Sequence, residues 1–131
     1  MKKPYLSPSE LNALGKQHGV LVTQLSQEVS KEMRLCNKMM CFDEVITMGT
    51  FNDPVLRTAI FYHELAHIEL GMVRACTYIE EREVWRAAFK NMRRLGFLPP
   101  YSVLKKCIQQ LYEYRNVCLL YTSPSPRDGN V

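Results

Sequence analysis

Apolar residues recur at helical spacing in several stretches of the chain, and residues typical of helix ends bound those stretches. Ser7 and Glu10 have the spacing of a capping box, which predicts a helix start. Asp53 can cap a helix whose first turn holds Pro54, and Gly71 suits the left-handed backbone that often follows a helix. The predicted helices run from Ser7 to near Gly19, from Pro54 to Leu70, from Thr77 to about Leu95 and from Ser102 to Arg115.

Between the first two helices, residues 20–48 contain short runs of β-branched and apolar side chains, which predict strands. The runs are Val20–Thr23, Met33–Cys36 and Glu44–Met48. We expect them to form a small antiparallel sheet, although the segment Gln27–Met33 also has a helical pattern. Together these elements predict an α+β fold in which the sheet packs on a helical core.

The chain has 131 residues, of which 47% are hydrophobic, so it has enough apolar material for one globular domain. We assign residues 1–116 to this domain. Residues 122–130 have the composition of turns and linkers, and Cys118–Asp128 resembles a read-through segment that occurs on unrelated predicted proteins. Residues 117–131 are therefore predicted to be a disordered or non-native tail.

Charge, hydropathy and cysteine content argue against several functional classes. The net charge is only +4, and basic residues at helical spacing without a nucleic-acid-binding motif predict a solvated helix face. These residues are Lys90, Arg93, Arg94, Lys105 and Lys106. No apolar stretch reaches the roughly 18 residues that span a membrane, and the N-terminal residues do not resemble a signal peptide. We therefore expect a cytoplasmic protein that binds neither membranes nor nucleic acids, with its five cysteines reduced.

The sequence His63-Glu64-Leu65-Ala66-His67 carries the clearest chemical signal in the chain. Its two histidines are four residues apart on a predicted helix, so both imidazoles lie on one face and can bind one metal ion. Zinc accepts neutral imidazole nitrogens and keeps an open position for water in catalytic sites. His63 and His67 are therefore predicted zinc ligands, and Glu64 is the predicted general base. His18 is expected to be exposed at a helix end.

A third protein ligand is required, and glutamates near the start of the next helix are candidates. Glu81 and His67 lie at the same distance from the turn between the two predicted helices, about 6 Å along each axis, so they come level in an antiparallel pair. Glu80 can be engaged in a capping box, and Glu83 lies on a different helix face. Glu81 is therefore preferred, with Glu83 and then Glu80 as alternatives. Glu69 faces away from His67 and is predicted to be exposed.

These segments resemble the minimal gluzincin metallopeptidases of the ImmA/IrrE type. In that family a strand precedes the H-E-x-x-H helix, and a glutamate on the next helix completes the zinc site. The matching segments here are Val45–Met48, Phe61–Ile68 and Glu81–Trp85. The resemblance implies a zincin-type helical core, in which the helix with the two histidines is followed by an antiparallel helix that carries Glu81.

The predicted function is zinc-dependent hydrolysis of peptide bonds, with a protein or peptide as the substrate. The strand that ends in Thr47 and Met48 is expected to lie alongside the site and to pair with an extended substrate. Two alternatives remain open: a zinc hydrolase that acts on another carbonyl, and a non-catalytic regulatory or interaction module whose metal braces two helices. A bracing site does not need a general base such as Glu64, which favours the hydrolase.

Overall fold

The computed structural model of the protein describes residues 5–71, 78–97 and 99–122, with side chains through residue 113. This part of the chain forms five helices and three short strands, so the predicted α+β class is confirmed. In chain order the elements are α1 (Pro8–Gln17), β1 (Leu21–Gln24), α2 (Gln27–Glu32), β2 (Met39–Phe42), β3 (Val45–Met48), α3 (Pro54–Glu69), α4 (Tyr78–Arg94) and α5 (Tyr101–Thr122).

The ends of α1 and α3 follow the signals in the sequence. Ser7 Oγ accepts the backbone N–H of Glu10 at 3.2 Å, and Glu10 Oε1 accepts the N–H of Ser7 at 2.8 Å, which completes the predicted capping box. Asp53 Oδ1 accepts the N–H of Val55 at 2.9 Å and caps α3. Gly71 follows α3 with a φ of +69°, a left-handed conformation that glycine adopts without strain.

The two C-terminal helices are less well predicted at their ends. α4 begins at Tyr78, and the predicted capping residue Thr77 lies outside the described residues. α5 continues to Thr122, so the predicted end at Arg115 is too early. The rest of the predicted tail lies outside the described residues, and its non-native origin stays a prediction. Across the described ranges, every helix is too short or too polar to serve as a membrane span.

The sheet has the strand order β1-β3-β2 and mixed pairing. β2 and β3 pair antiparallel through the two-residue turn Asp43-Glu44, in which Asp43 has a φ of +53°. β1 and β3 pair in parallel, with Leu21 opposite Val45. The predicted antiparallel sheet is therefore wrong for β1. Parallel pairing needs a long crossover connection, and the segment that contains α2 and β2 supplies it.

The second strand along the chain does not lie where the sequence predicts it. Residues Met33–Cys36 follow α2 and include Arg34 with a φ of +57°, so they do not form an extended strand. The strand is instead β2, whose residues Met39–Phe42 include no β-branched side chain and therefore carry a weak strand signal. The helical alternative for this region is confirmed by α2.

α3 is the central helix of the core and packs between the sheet and α4. The cluster on the sheet side contains Leu11, Val20, Ile46, Met48, Phe61 and Leu65. A second cluster joins α3 to α4 and α5, and its members on those two helices are Val84, Trp85, Ala88, Met92, Val103 and Cys107. His63 and His67 each follow a sheet-facing residue by two positions, about 200° around the helix, so they face α4.

Candidate metal centre

α3 and α4 bring three of the predicted site residues together. His63 and His67 lie one turn apart on α3, and Glu81 lies in the first turn of α4. Glu81 Oε1 lies 2.5 Å from His63 Nε2, and Glu81 Oε2 lies 3.3 Å from His67 Nε2. One ligand atom from each residue lies within 4.8 Å of the others, so the three can hold one metal ion. The fold therefore assembles the predicted group of two histidines and Glu81.

The other candidate ligands lie outside this group. Glu83 is partly exposed, and its Oε1 lies 3.7 Å from Arg86 Nη1. Glu80 is also partly exposed and does not join the two histidines. Glu69 is exposed, as predicted, and its Oε2 lies 3.2 Å from Nδ1 of the exposed His18. Among the described glutamates, the structure therefore favours Glu81 as the third ligand.

The site is buried although all its members are ionisable. His63, Glu64 and Glu81 are each 8% exposed, and His67 is 7% exposed. Burial of such groups is costly unless each finds a partner of opposite charge or a hydrogen bond. Glu81 meets this requirement for both imidazoles, because each of its oxygens lies near a different ring.

The metal-free site is an ion pair at neutral pH. Burial lowers the pKa of His63, but hydrogen bonds and charges from Glu64 and Glu81 outweigh burial and raise this pKa to about 9. Burial raises the pKa of Glu81, but hydrogen bonds and charges from His63 and His67 lower it to about 2. The proton on His63 Nε2 must therefore leave before that nitrogen can bind a metal ion.

Trp85 forms one wall of the site. Its ring stacks on the ring of His63 with a centroid distance of 4.1 Å and an interplanar angle of 23°. The His63 ring also meets the His67 ring edge to face at 4.6 Å and 82°. Trp85 is 3% exposed, and sequence reasoning missed its contact with the site. The signal was its spacing, because Trp85 follows Glu81 by one helical turn and so shares its face of α4.

Glu64 lies at a pocket of about 340 Å³ that borders His63. Its Oε2 lies 2.7 Å from His63 Nδ1, on the opposite side of the ring from the Nε2 that faces Glu81. The other lining residues are Lys38, Met39, Ile60, Gln110 and Glu113. The pocket therefore lies between α3, the β2 end of the sheet and α5, and it reaches both a candidate ligand and the candidate general base.

Sequence reasoning missed the sides of this pocket that β2 and α5 supply. Met39 begins β2, and Gln110 lies on α5. Cys41 of β2 lies near the site, since burial and then the charges of Glu64 and Asp43 raise the pKa of its thiol to about 11. Strand pairing and helix packing place these residues here, so no local sequence pattern marks them.

The donor set fits a divalent metal ion. Two imidazole nitrogens and one carboxylate oxygen converge, with Glu64 hydrogen-bonded to the far nitrogen of His63. A partner at that nitrogen fixes the tautomer and leaves the other nitrogen to bind a metal ion, as is common in metal sites. The arrangement therefore contains three ligands and one carboxylate that is not needed as a ligand.

Comparison with protein-family models, curated proteins and solved structures found no match. The resemblance to the ImmA/IrrE metallopeptidases accordingly rests on the three sequence segments given above.

Proposed function

We propose that the protein is a zinc-dependent peptidase, in which His63, His67 and Glu81 hold the metal and Glu64 transfers protons. The observation that carries the proposal is the position of Glu64, which lies 2.7 Å from Nδ1 of the candidate ligand His63 and lines the same pocket as His63. Two histidines and a glutamate are an established ligand set of catalytic zinc. The pocket volume of about 340 Å³ lies within the usual range for ligand sites.

The residues of the site divide the chemistry of peptide hydrolysis between them. Zinc in this site would polarise the peptide carbonyl and lower the pKa of its coordinated water to about 7. Glu64 takes the proton of the attacking water and passes it to the nitrogen of the leaving amine. Trp85 packs on the His63 ring and limits its motion, so the ligand nitrogen keeps its direction.

The strand that accompanies the substrate is β2 in this proposal. Thr47 and Met48 belong to β3, which is the central strand and pairs on both sides, so the predicted pairing of these residues with a substrate is wrong. Within the described part of the chain β2 pairs on one side alone, and its first residue, Met39, lines the pocket. An extended peptide that pairs with the free edge of β2 would pass beside His63 and Glu64.

A second candidate function is a metal site that braces α3 and α4 without catalysis. The hydrogen bond between Glu64 and His63 Nδ1 favours it, because a carboxylate in that place orients a metal-binding histidine. The two roles of Glu64 make opposite predictions for one variant. Loss of a general base leaves metal affinity unchanged, whereas loss of an orienting carboxylate lowers it by about 10- to 100-fold.

The test compares Glu64→Gln with the wild type and with Glu83→Gln, a matched change at a glutamate outside the group. Metal content and zinc affinity are measured for each protein, and cleavage of a peptide library is followed by mass spectrometry. The proposal predicts one zinc per chain in all three proteins and cleavage by wild type and Glu83→Gln alone.

Three outcomes would contradict the peptidase proposal. Absence of zinc from the wild type would remove the site itself. Weakened zinc binding by Glu64→Gln without cleavage by any of the proteins would favour the bracing site. Hydrolysis of esters or small amides that needs Glu64, with no peptide cleaved, would favour a hydrolase that acts on another carbonyl.

A further inference from the structure

A second groove lies along α4, beside α5, and its volume is about 490 Å³. It is lined by Arg82, Trp85, Arg86, Phe89, Lys90, Arg93 and Leu111. Six of these residues lie on α4 at spacings of three and four, so they form one stripe about 16 Å long. The groove thus combines a row of cations with aromatic and aliphatic side chains.

The positive charge of the groove is largely uncompensated. In the described part of the chain Arg82, Lys90 and Arg93 form no ion pair. Arg86 lies 3.7 Å from Glu83, and both side chains of this pair are well exposed to water, which weakens the interaction. None of the groove residues is acidic. The sequence of residues 114–122, with which α5 ends, also contains no Asp or Glu.

The floor of the groove is apolar. Phe89 of α4 and Leu111 of α5 are partly buried and face the groove from its two sides. Phe89 stacks on Trp85 with a centroid distance of 5.3 Å and an interplanar angle of 26°. Apolar side chains between basic residues suit a ligand that is itself amphipathic, with apolar anchors and acidic flanks.

The same contacts disfavour two other kinds of anion. Single-stranded nucleic acid is held by aromatic rings whose faces are free to stack on bases. Trp85 is 3% exposed and its ring already stacks on His63 and Phe89. A small anion is held by buried polar side chains, but the polar residues of this groove are exposed.

We propose that this groove docks an acidic amphipathic helix of a partner protein. The apolar residues of the partner helix pack on Phe89 and Leu111, and its acidic residues lie beside the basic residues of α4 that line the groove. The docking surface is separate from the pocket at Glu64, so the proposal goes beyond the peptidase and does not require a bound metal. It also differs from the solvated helix face that the spacing of Lys90 and Arg93 predicts.

The test uses a synthetic helical peptide of about 15 residues, long enough to cover the stripe, with leucines on one face and glutamates along both flanks. Binding to the intact protein is measured by fluorescence anisotropy of the labelled peptide. Trp85 is the single tryptophan of the chain and borders the groove, so its emission reports occupancy of this site. We expect saturable binding that weakens with salt and changes the Trp85 emission.

Two charge-reversal variants separate a specific groove from general attraction to a basic protein. Arg86→Glu with Lys90→Glu changes the groove, whereas Lys105→Glu with Lys106→Glu makes the same change in net charge at exposed positions of α5 outside it. We expect the groove variant to bind the peptide at least about tenfold more weakly and the control variant within about twofold of wild type. Circular dichroism confirms that both variants are folded.

Other results would overturn the proposal. These are failure of the wild type to bind the peptide, equal losses in the two variants, or unchanged binding when the peptide's leucines are replaced by alanines. Tighter binding of a single-stranded oligonucleotide of equal charge would assign the groove to nucleic acid instead.

Discussion

The two sides of α3 are buried in different ways. On the sheet side, Phe61 and Leu65 pack against apolar neighbours such as Ile46. Burial of these side chains needs close packing but no hydrogen bond or ion pair. On the α4 side, two histidines are buried against Glu81, and they are stable there only because charge and hydrogen bonding offset desolvation. Packing of apolar side chains therefore holds α3 against the sheet, whereas protonation or metal binding controls its contact with α4.

Among the substitutions considered, Gly49→Ala should have the largest effect, and this effect should be on the stability of the fold alone. A Cβ at Gly49 would lie 1.8 Å from the carbonyl oxygen of Leu35, so the segment before β2 must move. We expect a loss of about 3 kcal/mol in the free energy of unfolding, measured by urea denaturation. Gly71→Ala is the control, because no atom of the described residues lies within 4 Å of the added Cβ and its cost is the left-handed backbone, about 1 kcal/mol. Equal losses in the two variants would show that the contact does not constrain the sheet.

His67→Ala should affect the other side of α3. Removal of one of the three proposed ligands should weaken zinc binding by more than about 100-fold, the largest loss typical of a residue that merely supports a ligand. Isothermal titration calorimetry or competition with a chelator measures the affinity. His18→Ala is the control, since His18 is exposed and contacts Glu69 instead of the site. Similar zinc affinities for the two variants would remove His67 from the ligand group.

The contrast also explains which features could be predicted from the sequence. Signals for the helix pair are local: His63 and His67 are one turn apart, Pro54 starts their helix, and Glu81 was ranked first by its distance from the turn. Each of these depends on residues close together in the chain, so periodicity and end signals are sufficient. The structure agrees with all of them.

The features that were missed are non-local. The parallel pairing of β1 with β3 depends on the path of the chain through α2, which no pattern in either strand encodes. β2 escaped notice because Met39–Phe42 carries a weak strand signal, and the pocket wall at Gln110 depends on how α5 packs. For this reason the sequence pointed to the three residues that the structure brings together, but not to β2, whose first residue lines the adjoining pocket.

The stability of the metal-free protein should depend on pH through the α4 side of α3 and not through the sheet side. The pKa of His63 is raised to about 9, so its stabilisation is complete below its ordinary pKa of 6.5 and is lost as pH rises through about 9. The pKa of Glu81 is lowered to about 2, so its stabilisation is present above 4.5 and is lost as pH falls through about 2. Between about pH 6 and about pH 8.5, we expect His63 to contribute a loss on the order of 2 kcal/mol.

Thermal unfolding in the presence of a chelator measures this loss. In Glu81→Gln one of the two carboxylates that raise the pKa of His63 is removed, so the same change in pH should have a smaller effect. Gly71→Ala should lose as much stability over this range as the wild type. If the stability of the wild type does not change over this pH range, His63 does not carry the extra proton beside Glu81 in the folded protein.

The smallest effect is expected from the cap of α1. Ser7→Ala removes the acceptor for the N–H of Glu10, and loss of a cap costs about 1 kcal/mol. Because Leu6 donates its N–H to Thr58 Oγ1 at 2.9 Å, the start of α1 is tied to the first turns of α3, before the histidines. The loss should therefore be the same at pH 6 and pH 8.5 and should leave zinc affinity within about twofold of wild type, because the two histidines lie in the second half of α3. If Ser7→Ala weakened zinc binding as much as His67→Ala does, the two ends of α3 would be coupled. The division of α3 into an apolar side and an ionisable side would then not describe how this helix is stabilised.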